Sequence, residues 1–297
     1  MHKFLVTGAS SGLGLAIALD ALQRGHVVFG TGRNIKKAAD QHPEFAQAGG
    51  KWLQLDLTAA NIQEVVCELV EREDLDVLVN AAGYGIYGAL EDMSEEEIRA
   101  QFETNFFGTI KVTKGVIPHF RQKRRGAIVM MSSISGLTLS MASGIMYSAS
   151  KFALEALGEG LALQLKPFGI RLLIVEPGLF RTNWLVSSYA TPAKGLGDDY
   201  VGGPVDSALS HYPTIHGTQE GDPAKAAKVI IDVATGTGSG AAEDIKGCLR
   251  LPLGGDAMDK AREYVDKFTK DLDIIDKVAR STAFDNGVGL GGRRIGE

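Results

Sequence analysis

Short apolar runs and longer amphipathic segments alternate along the first 180 residues. The apolar runs are rich in Val, Ile, Leu and Phe, which is typical of strands buried on both faces. The predicted strands are Lys3–Val6, Val27–Gly30, Lys51–Leu55, Val77–Val79, Ala127–Met131 and Arg171–Val175. Because helical segments separate these strands, we expect an α/β protein with one doubly wound parallel sheet and helices on both of its faces.

The helical segments have apolar residues on one side, recurring with the helical period of 3.6 residues. They predict helices over Leu13–Arg24, over Ile62–Glu71 and from Ser94 toward Phe120. Ser94 and Glu97 have the spacing of a capping box, so we expect the third helix to begin there.

The alternation ends near residue 183. Residues 189–222 contain prolines and several glycines with little periodicity, which predicts either a lid over a substrate or a disordered segment. Beyond them we predict a helix over Pro223–Ala234, a strand over Cys248–Leu251 and a charged helix over Asp256–Val278. We therefore expect one domain over residues 1–285, with a cofactor half at about 1–183 and the lid and C-terminal helices at about 184–285. Residues 286–297 are expected to form a flexible tail.

Composition and charge narrow the classes of function. The chain has 36 acidic and 31 basic residues, so its net charge of −5 argues against nucleic acid and anionic membranes as partners. Its two cysteines form neither a disulfide scaffold nor a zinc site. No apolar run approaches the ~18 residues of a membrane span, and the first residues do not form a secretion signal. We expect a cytoplasmic protein.

A glycine-rich segment joins the first predicted strand to the first helix. Gly8, Gly12 and Gly14 have the spacing G-x-x-x-G-x-G. Glycines there permit a tight turn and let the backbone approach a pyrophosphate at the helix N-terminus, as in a Rossmann fold. The alternative is a tight turn without a ligand.

The end of the second strand bears on the cofactor. An NAD site has a carboxylate about 20 residues after the glycine segment, and this chain has none there. Gly32 leaves space, and the guanidinium of Arg33 suits a 2′-phosphate, so we predict NADP(H). The alternative is a solvated surface arginine.

Tyr147 and Lys151 are four residues apart on a predicted helix and therefore share one face. A free tyrosine has a pKa near 10 and is a poor base at neutral pH. A nearby cation favours the phenolate, so we expect a lowered pKa and a group that exchanges protons.

In this order, the motifs resemble those of the short-chain dehydrogenase/reductase family, strongly to about residue 185 and more weakly to about 285. Two departures are Ala81, where the family has a second Asn, and a spacing of 14 residues from Ser133 to Tyr147, where the family has 13.

The resemblance implies that Ser133, or alternatively Ser135, binds the substrate oxygen and that Asn105 holds a water in a proton relay to Lys151. It implies a catalytic set of Ser133, Tyr147, Lys151 and Asn105. It implies cofactor contacts from Thr7, Gly8, Ser10, Ser11, Gly12, Leu13, Gly14, Arg33, Asn34, Asp56, Leu57, Asn80, Ala81, Ala82, Gly83, Tyr147, Lys151, Pro177, Gly178 and Thr182.

The resemblance also implies an activity. We expect an NADP(H)-dependent carbonyl reductase or alcohol dehydrogenase that needs no metal. Its substrate is expected to be a moderately large apolar molecule, such as a steroid-, retinoid- or polyketide-like compound. Candidate substrate contacts are Ser135, Tyr84, Tyr87 and Trp184. A non-catalytic NADP-binding redox sensor and an epimerase or dehydratase stay open as alternatives. A homodimer or homotetramer, formed through the helices after the fourth and fifth strands, is also implied.

Overall fold

Seven parallel strands form the central sheet of this computed structural model, which describes residues 1–139, 141–237, 245 and 247–283. The strands are β1 Lys3–Thr7, β2 Val27–Gly32, β3 Lys51–Gln54, β4 Val77–Asn80, β5 Gly85–Ile86, β6 Gly126–Met131, β7 Ile170–Pro177, β8 Tyr189–Ala190 and β9 Arg250–Leu253. The sheet order is β3-β2-β1-β4-β6-β7-β9, and β5 pairs separately with β8. The predicted doubly wound parallel sheet is confirmed.

Helices cover both faces of the sheet. Their bounds are α1 Gly12–Gln23, α2 Ile35–Gln41, α3 Pro43–Gln47, α4 Ile62–Glu73, α5 Glu95–Phe102, α6 Gly108–Lys123, α7 Ile145–Leu165, α8 Trp184–Ser187, α9 Pro204–His211, α10 Pro223–Thr235 and α11 Gly255–Arg280. Apolar residues of α1 and α10 pack on one face, and those of α4, α6 and α7 pack on the other. Burial of these two layers against the sheet is the main stabilising contribution.

The strand order reverses between β1 and β4. β1 pairs with β2 on one side and with β4 on the other, so the connections leaving β1 and β4 run to opposite faces. In open parallel sheets this reversal leaves a crevice at the carboxyl ends of the strands, and ligands bind there. The turns after β1, β4, β6 and β7 all open into this crevice.

The approach of α4 to α6 depends on a small residue. A Cβ added to Gly115 would lie 2.8 Å from Val66 Cγ1 and 2.9 Å from the Gln63 carbonyl oxygen. Glycine therefore lets the two helices pack closely at this point.

The helix predicted from Ser94 toward Phe120 is interrupted. Its predicted start is confirmed, because Ser94 Oγ accepts from Glu97 N and Glu97 Oε2 accepts from Ser94 N. Between α5 and α6, residues Glu103–Phe107 form a π-helical turn. Such turns occur frequently at functional sites, and this one contains Asn105.

The segment predicted as an irregular lid contains short elements. β8 runs parallel to β5, with Gly85 paired to Tyr189, and α9 follows. Two-residue strands carry no periodicity, so the hydrophobic pattern could not reveal them. The tail predicted at 286–297 lies outside the described residues.

Phe120→Ala tests the core beneath α6. We expect it to lower the free energy of unfolding by about 3–5 kcal/mol, because it deletes a fully buried ring and leaves a cavity. Denaturant unfolding measures this. The control is Val201→Ala, just before α9, whose side chain is 64% exposed and whose loss is expected to stay within about 0.5 kcal/mol. Equal losses for the two variants would contradict this description of the core.

Candidate active site

A cavity of about 790 Å³ occupies the carboxyl ends of the parallel strands. It brings together most residues singled out in the sequence, namely Gly8, Ser10, Ser11, Gly12, Leu13, Gly14, Arg33, Asn34, Asp56, Leu57, Ala81, Ala82, Gly83, Tyr84, Tyr87, Ser133, Ser135, Tyr147, Lys151, Pro177, Gly178, Thr182 and Trp184. Three others, Thr7, Asn80 and Asn105, lie behind its wall. A volume of this size is typical of small-molecule and cofactor sites.

The turn after β1 packs directly against the end of β4. Gly8 and Gly12 have φ of +67° and +59°, which residues with a Cβ rarely adopt. A Cβ on Gly8 would lie 2.8 Å from Ala82 N, and one on Gly14 would lie 2.5 Å from the Gly8 carbonyl oxygen. Thr7, below the turn, accepts hydrogen bonds at Oγ1 from the backbone N–H groups of Ala81 and Ala82. It therefore holds the two chain segments together.

The N-terminus of α1 faces the cavity without a side-chain cap. The Ser11 side chain makes no capping hydrogen bond, and the first turn contains no acidic residue. The first backbone N–H groups of a helix have no partner within the helix, and they carry a partial positive charge. With the glycine cradle beside them, these groups fit a dinucleotide pyrophosphate.

The far end of the cavity has a basic rim. Arg33 is exposed and makes no hydrogen bond or ion pair within the described part of the chain. The Asn34 side chain caps α2 by accepting from Lys37 N, so it is already engaged. Lys37 also lines the cavity, and sequence reasoning missed it. Nearby, hydrogen bonds from the Thr58 backbone and hydroxyl hold the pKa of Asp56 below its usual value.

Asn80 supports the sheet next to the cavity. This buried side chain donates from Nδ2 to Thr113 Oγ1 at 3.0 Å on α6. This hydrogen bond ties the end of β4 to α6.

Tyr147 and Lys151 lie one turn apart on α7 at the cavity wall. Both are nearly fully buried, and Lys151 Nζ donates to the Met131 carbonyl oxygen at 2.7 Å. The same Nζ lies 5.7 Å from the centroid of the Tyr147 ring. Ser133 follows β6, and its side chain lines the same wall of the cavity as Tyr147.

Burial dominates the electrostatics of this pair. It raises the pKa of Tyr147 to about 12, and the Ser133 hydroxyl opposes this rise. It lowers the pKa of Lys151 to about 8, which Glu155 opposes. The expectation that the ammonium lowers the phenol pKa is wrong for this state of the site, because Nζ faces the ring and a carbonyl oxygen while the phenol is desolvated.

Asn105 lies in the π-helical turn, outside the cavity lining. Its Oδ1 accepts from Tyr84 N at 3.1 Å, and its Nδ2 donates to the Tyr84 carbonyl oxygen and to Ser150 Oγ. A Cβ added at Gly83 would lie 3.2 Å from Asn105 Oδ1 and 3.7 Å from Lys151 Nζ. Glycine at position 83 therefore leaves the space between Asn105 and Lys151 open.

Aromatic rings surround the Tyr147 phenol. The rings of Tyr87 and Trp184 both lie 5.6 Å from that of Tyr147, centroid to centroid. Tyr87 also stacks on Tyr189 at 4.2 Å, across the pairing of β5 with β8. Tyr212 and Lys260 line the same end of the cavity, although no motif in the sequence pointed to them.

A family model described as short chain dehydrogenase matches residues 2–192. The chain belongs to this family.

Individual proteins agree with that assignment. The oxidoreductase claN of Passalora fulva is 43% identical over 209 residues, which cover 70% of this chain and 94% of that one. A solved short-chain dehydrogenase from Streptomyces avermitilis is 37% identical, has a TM-score of 0.83, and covers 95% of this chain and 100% of its own. A variant of actinorhodin polyketide ketoreductase, solved with NADPH, is 26% identical with a TM-score of 0.68 and covers 86% of this chain and 97% of its own.

Sequence reasoning missed one charged cluster of this short-chain dehydrogenase. The buried Glu155 and Glu176 share the guanidinium of Arg250, whose Nη1 contacts Glu155 Oε2 and lies 2.7 Å from Glu176 Oε1. Burial raises the pKa of Glu155 to about 7, the nearby Glu176 adds to the rise, and Ser132 and Arg250 oppose it. Glu155 lies one helical turn beyond Lys151, so the cluster adjoins the site.

Glu155→Gln tests this cluster through the pH dependence of stability. The pKa of Glu155 rises from 4.5 to about 7 on folding, so its contribution is fully present below about pH 4.5 and is lost as pH rises through 7. Glutamine stays neutral, so the variant should gain stability relative to the wild type over this window. Unfolding free energies at several pH values measure the difference.

The matched control is Glu159→Gln, because Glu159 contacts the same arginine but is exposed. It should keep the pH slope of the wild type. A Glu155→Gln protein whose stability runs parallel to that of the wild type from pH 4.5 to 8 would contradict the raised pKa.

Proposed function

We propose that the protein is an NADP(H)-dependent oxidoreductase that interconverts a carbonyl group and a secondary alcohol. The observation that carries this proposal is the convergence of Ser133, Tyr147 and Lys151 on the wall of the cavity that the glycine cradle also lines. A cofactor cradle and a buried proton donor in one cavity are what carbonyl reduction requires.

The cofactor would lie along the cavity from Arg33 to Tyr147. The α1 N-terminus would hold the pyrophosphate, and Arg33 with Lys37 would bind the 2′-phosphate. The structural relative solved with NADPH supports this choice. When bound, NADP(H) supplies or accepts the hydride.

Tyr147 would supply the proton. With a pKa raised to about 12 by burial, its phenol is protonated at neutral pH and is ready to donate to a carbonyl oxygen. Ser133 would donate a hydrogen bond to the same oxygen. Lys151 would stabilise the negative charge left on the phenol, since a pKa of about 8 keeps most of its ammonium protonated at neutral pH. Lys151 would then pass a proton back to the phenolate of Tyr147. Asn105, next to the open space at Gly83, would hold a water that reprotonates Lys151.

The substrate would be moderately large and apolar. Tyr87, Trp184 and Tyr189 form an aromatic wall around the phenol, and Tyr84 and Ser135 line the cavity beside them. Such a wall suits a steroid-, retinoid- or polyketide-like compound, and the named activity of the polyketide ketoreductase relative agrees with this class.

Two broader features belong to the same proposal. Residues 1–285 would act as one unit, in which about 1–183 hold the cofactor and about 184–285 close over the substrate. The chain would form a homodimer or homotetramer through α6 and α7, where Phe152 and Leu163 are exposed.

Tyr147→Phe tests the proton donor. We expect kcat for carbonyl reduction to fall by at least ~10² to 10⁴, because the variant loses its general acid. NADPH affinity, measured by fluorescence titration, should change less than about threefold. The assay follows NADPH oxidation over a panel of apolar ketones.

Three outcomes would contradict this assignment. Turnover retained by Tyr147→Phe would exclude the tyrosine as the acid. No oxidation by the wild type over the panel, with NADPH still bound, would favour a redox sensor. Product formation without net cofactor consumption would favour an epimerase or dehydratase.

Arg33→Ala tests the cofactor preference. A hydrogen bond to a charged group contributes about 1.5–3 kcal/mol, so the variant should bind NADPH roughly 10- to 100-fold more weakly. NADH lacks the 2′-phosphate, so its affinity should barely change. Titration with both cofactors measures this, with Arg72→Ala as a control on a distant exposed arginine. Equal losses for the two cofactors would sink the assignment.

A further inference from the structure

The C-terminal helix α11 leaves the body of the protein after its first turns. Ala257 and Ala261 are buried near the cavity, whereas every residue from Val265 to Arg280 is exposed. Sixteen helical residues rise about 24 Å, at 1.5 Å per residue. Most of this helix therefore makes no packing contact within the described part of the chain.

An apolar stripe nevertheless runs along α11 from its buried first turns into its exposed part. The stripe consists of Met258, Ala261, Val265, Phe268, Leu272, Ile275 and Ala279. Its intervals alternate between three and four residues, which is the a/d heptad pattern of a coiled-coil seam. Its four central side chains, from Val265 to Ile275, are 45–54% exposed.

An isolated helix of this kind is marginal in water, because most helical stability comes from packing of the apolar face. We propose that the α11 stripe pairs with α11 of a second copy of this chain in an antiparallel two-helix seam. In this arrangement the a positions of one helix pack against the d positions of the other, and the two-fold axis passes at the level of Lys270. Val265 then lies opposite the partner's Ile275. The same register places Phe268 opposite the partner's Leu272.

Charge at the edges of the seam selects this direction. In the antiparallel register Arg262 faces the partner's Asp276, an attractive pair formed twice, and Asp271 meets the partner's Asp271 once at the axis. A parallel pairing instead places Asp271 against the partner's Asp276 twice and forms no attractive pair. Flanking charges of this kind set helix orientation in coiled coils.

The charge of α11 also argues against a membrane surface. Acidic and basic side chains nearly balance along the helix, with Asp256, Asp259, Glu263, Asp266, Asp271, Asp273 and Asp276 against Lys260, Arg262, Lys267, Lys270, Lys277 and Arg280. Helices that bind anionic membranes carry mainly Lys and Arg on the polar face. Moreover, no helix in the described residues is long and apolar enough to cross a bilayer.

Sedimentation equilibrium of the full chain tests the interface. The α11 seam is an association step separate from the one proposed through α6 and α7, so the wild type should show it in addition. Phe268→Asp should weaken the seam step at least 100-fold, because it puts a charge at the centre of the seam, and should leave association through α6 and α7 unchanged. The fold should persist, since Phe268 contacts no part of the body, and far-UV circular dichroism checks this. Lys270→Ala, on the outer side of α11, should leave self-association within about twofold of the wild type.

Two results would overturn the proposal. One is a wild type that is monomeric at 100 µM, or whose association is unchanged by Phe268→Asp. The other is Phe268-dependent co-sedimentation with phosphatidylserine vesicles by a protein that does not self-associate, which would assign the stripe to a membrane.

Disulfide trapping tests the direction. In a Cys67→Ser, Cys248→Ser background, chains with Val265→Cys mixed with chains with Ile275→Cys should form a mixed disulfide. Each variant alone should cross-link at least tenfold more slowly. A parallel seam gives the reverse result, with each variant cross-linking to itself, and would overturn the register.

Discussion

The contact between the turn after β1 and the end of β4 fixes the position of the whole site. Gly8 lies against Ala82 without room for a Cβ, and Thr7 binds the same segment from below. This contact sits where the strand order reverses, so the crevice of the sheet and the uncapped α1 N-terminus coincide. The ends of β6 and β7 deliver the remaining residues to that crevice because parallel strands end at one edge. The chemistry thus depends on one close backbone approach.

Burial then shapes the charged groups on α7. Lys151 and Glu155 are one turn apart and both desolvated, and desolvation moves their pKa values in opposite directions, to about 8 and about 7. Each is compensated locally, Lys151 by the Met131 carbonyl and Glu155 by Arg250. Removing one partner of such a buried set leaves an uncompensated charge, which is costly. The charges of the active site and of the Arg250 cluster are therefore coupled, because Lys151 and Glu155 lie on one face of α7.

Local signals predicted the sheet and most of the cavity lining. The glycine segment, Arg33 and the Tyr147–Lys151 pair are short-range patterns whose spacing alone places them on a turn or a helix face. The Arg250 cluster could not be predicted, because its carboxylates lie 95 and 74 residues away along the chain. The β5–β8 pairing was equally hidden, since each strand has two residues and their partners are remote. Local sequence patterns therefore do not predict contacts between residues that are far apart along the chain and follow no periodicity.

The helix α11 shows the same difference between a local pattern, which the sequence reveals, and long-range packing, which it does not. Its amphipathic pattern predicted a helix correctly, but a hydrophobic stripe does not reveal what covers it. The structure shows where burial against the body stops: the small residues Ala257 and Ala261 face the body, and the larger Val265, Phe268 and Leu272 are exposed beyond it. Small side chains permit close packing on Ile134 and Leu137 in the turn after β6, whereas larger ones at heptad spacing suit a facing helix. One continuous stripe therefore serves two different surfaces, and only the boundary between them distinguishes an internal core from an interface.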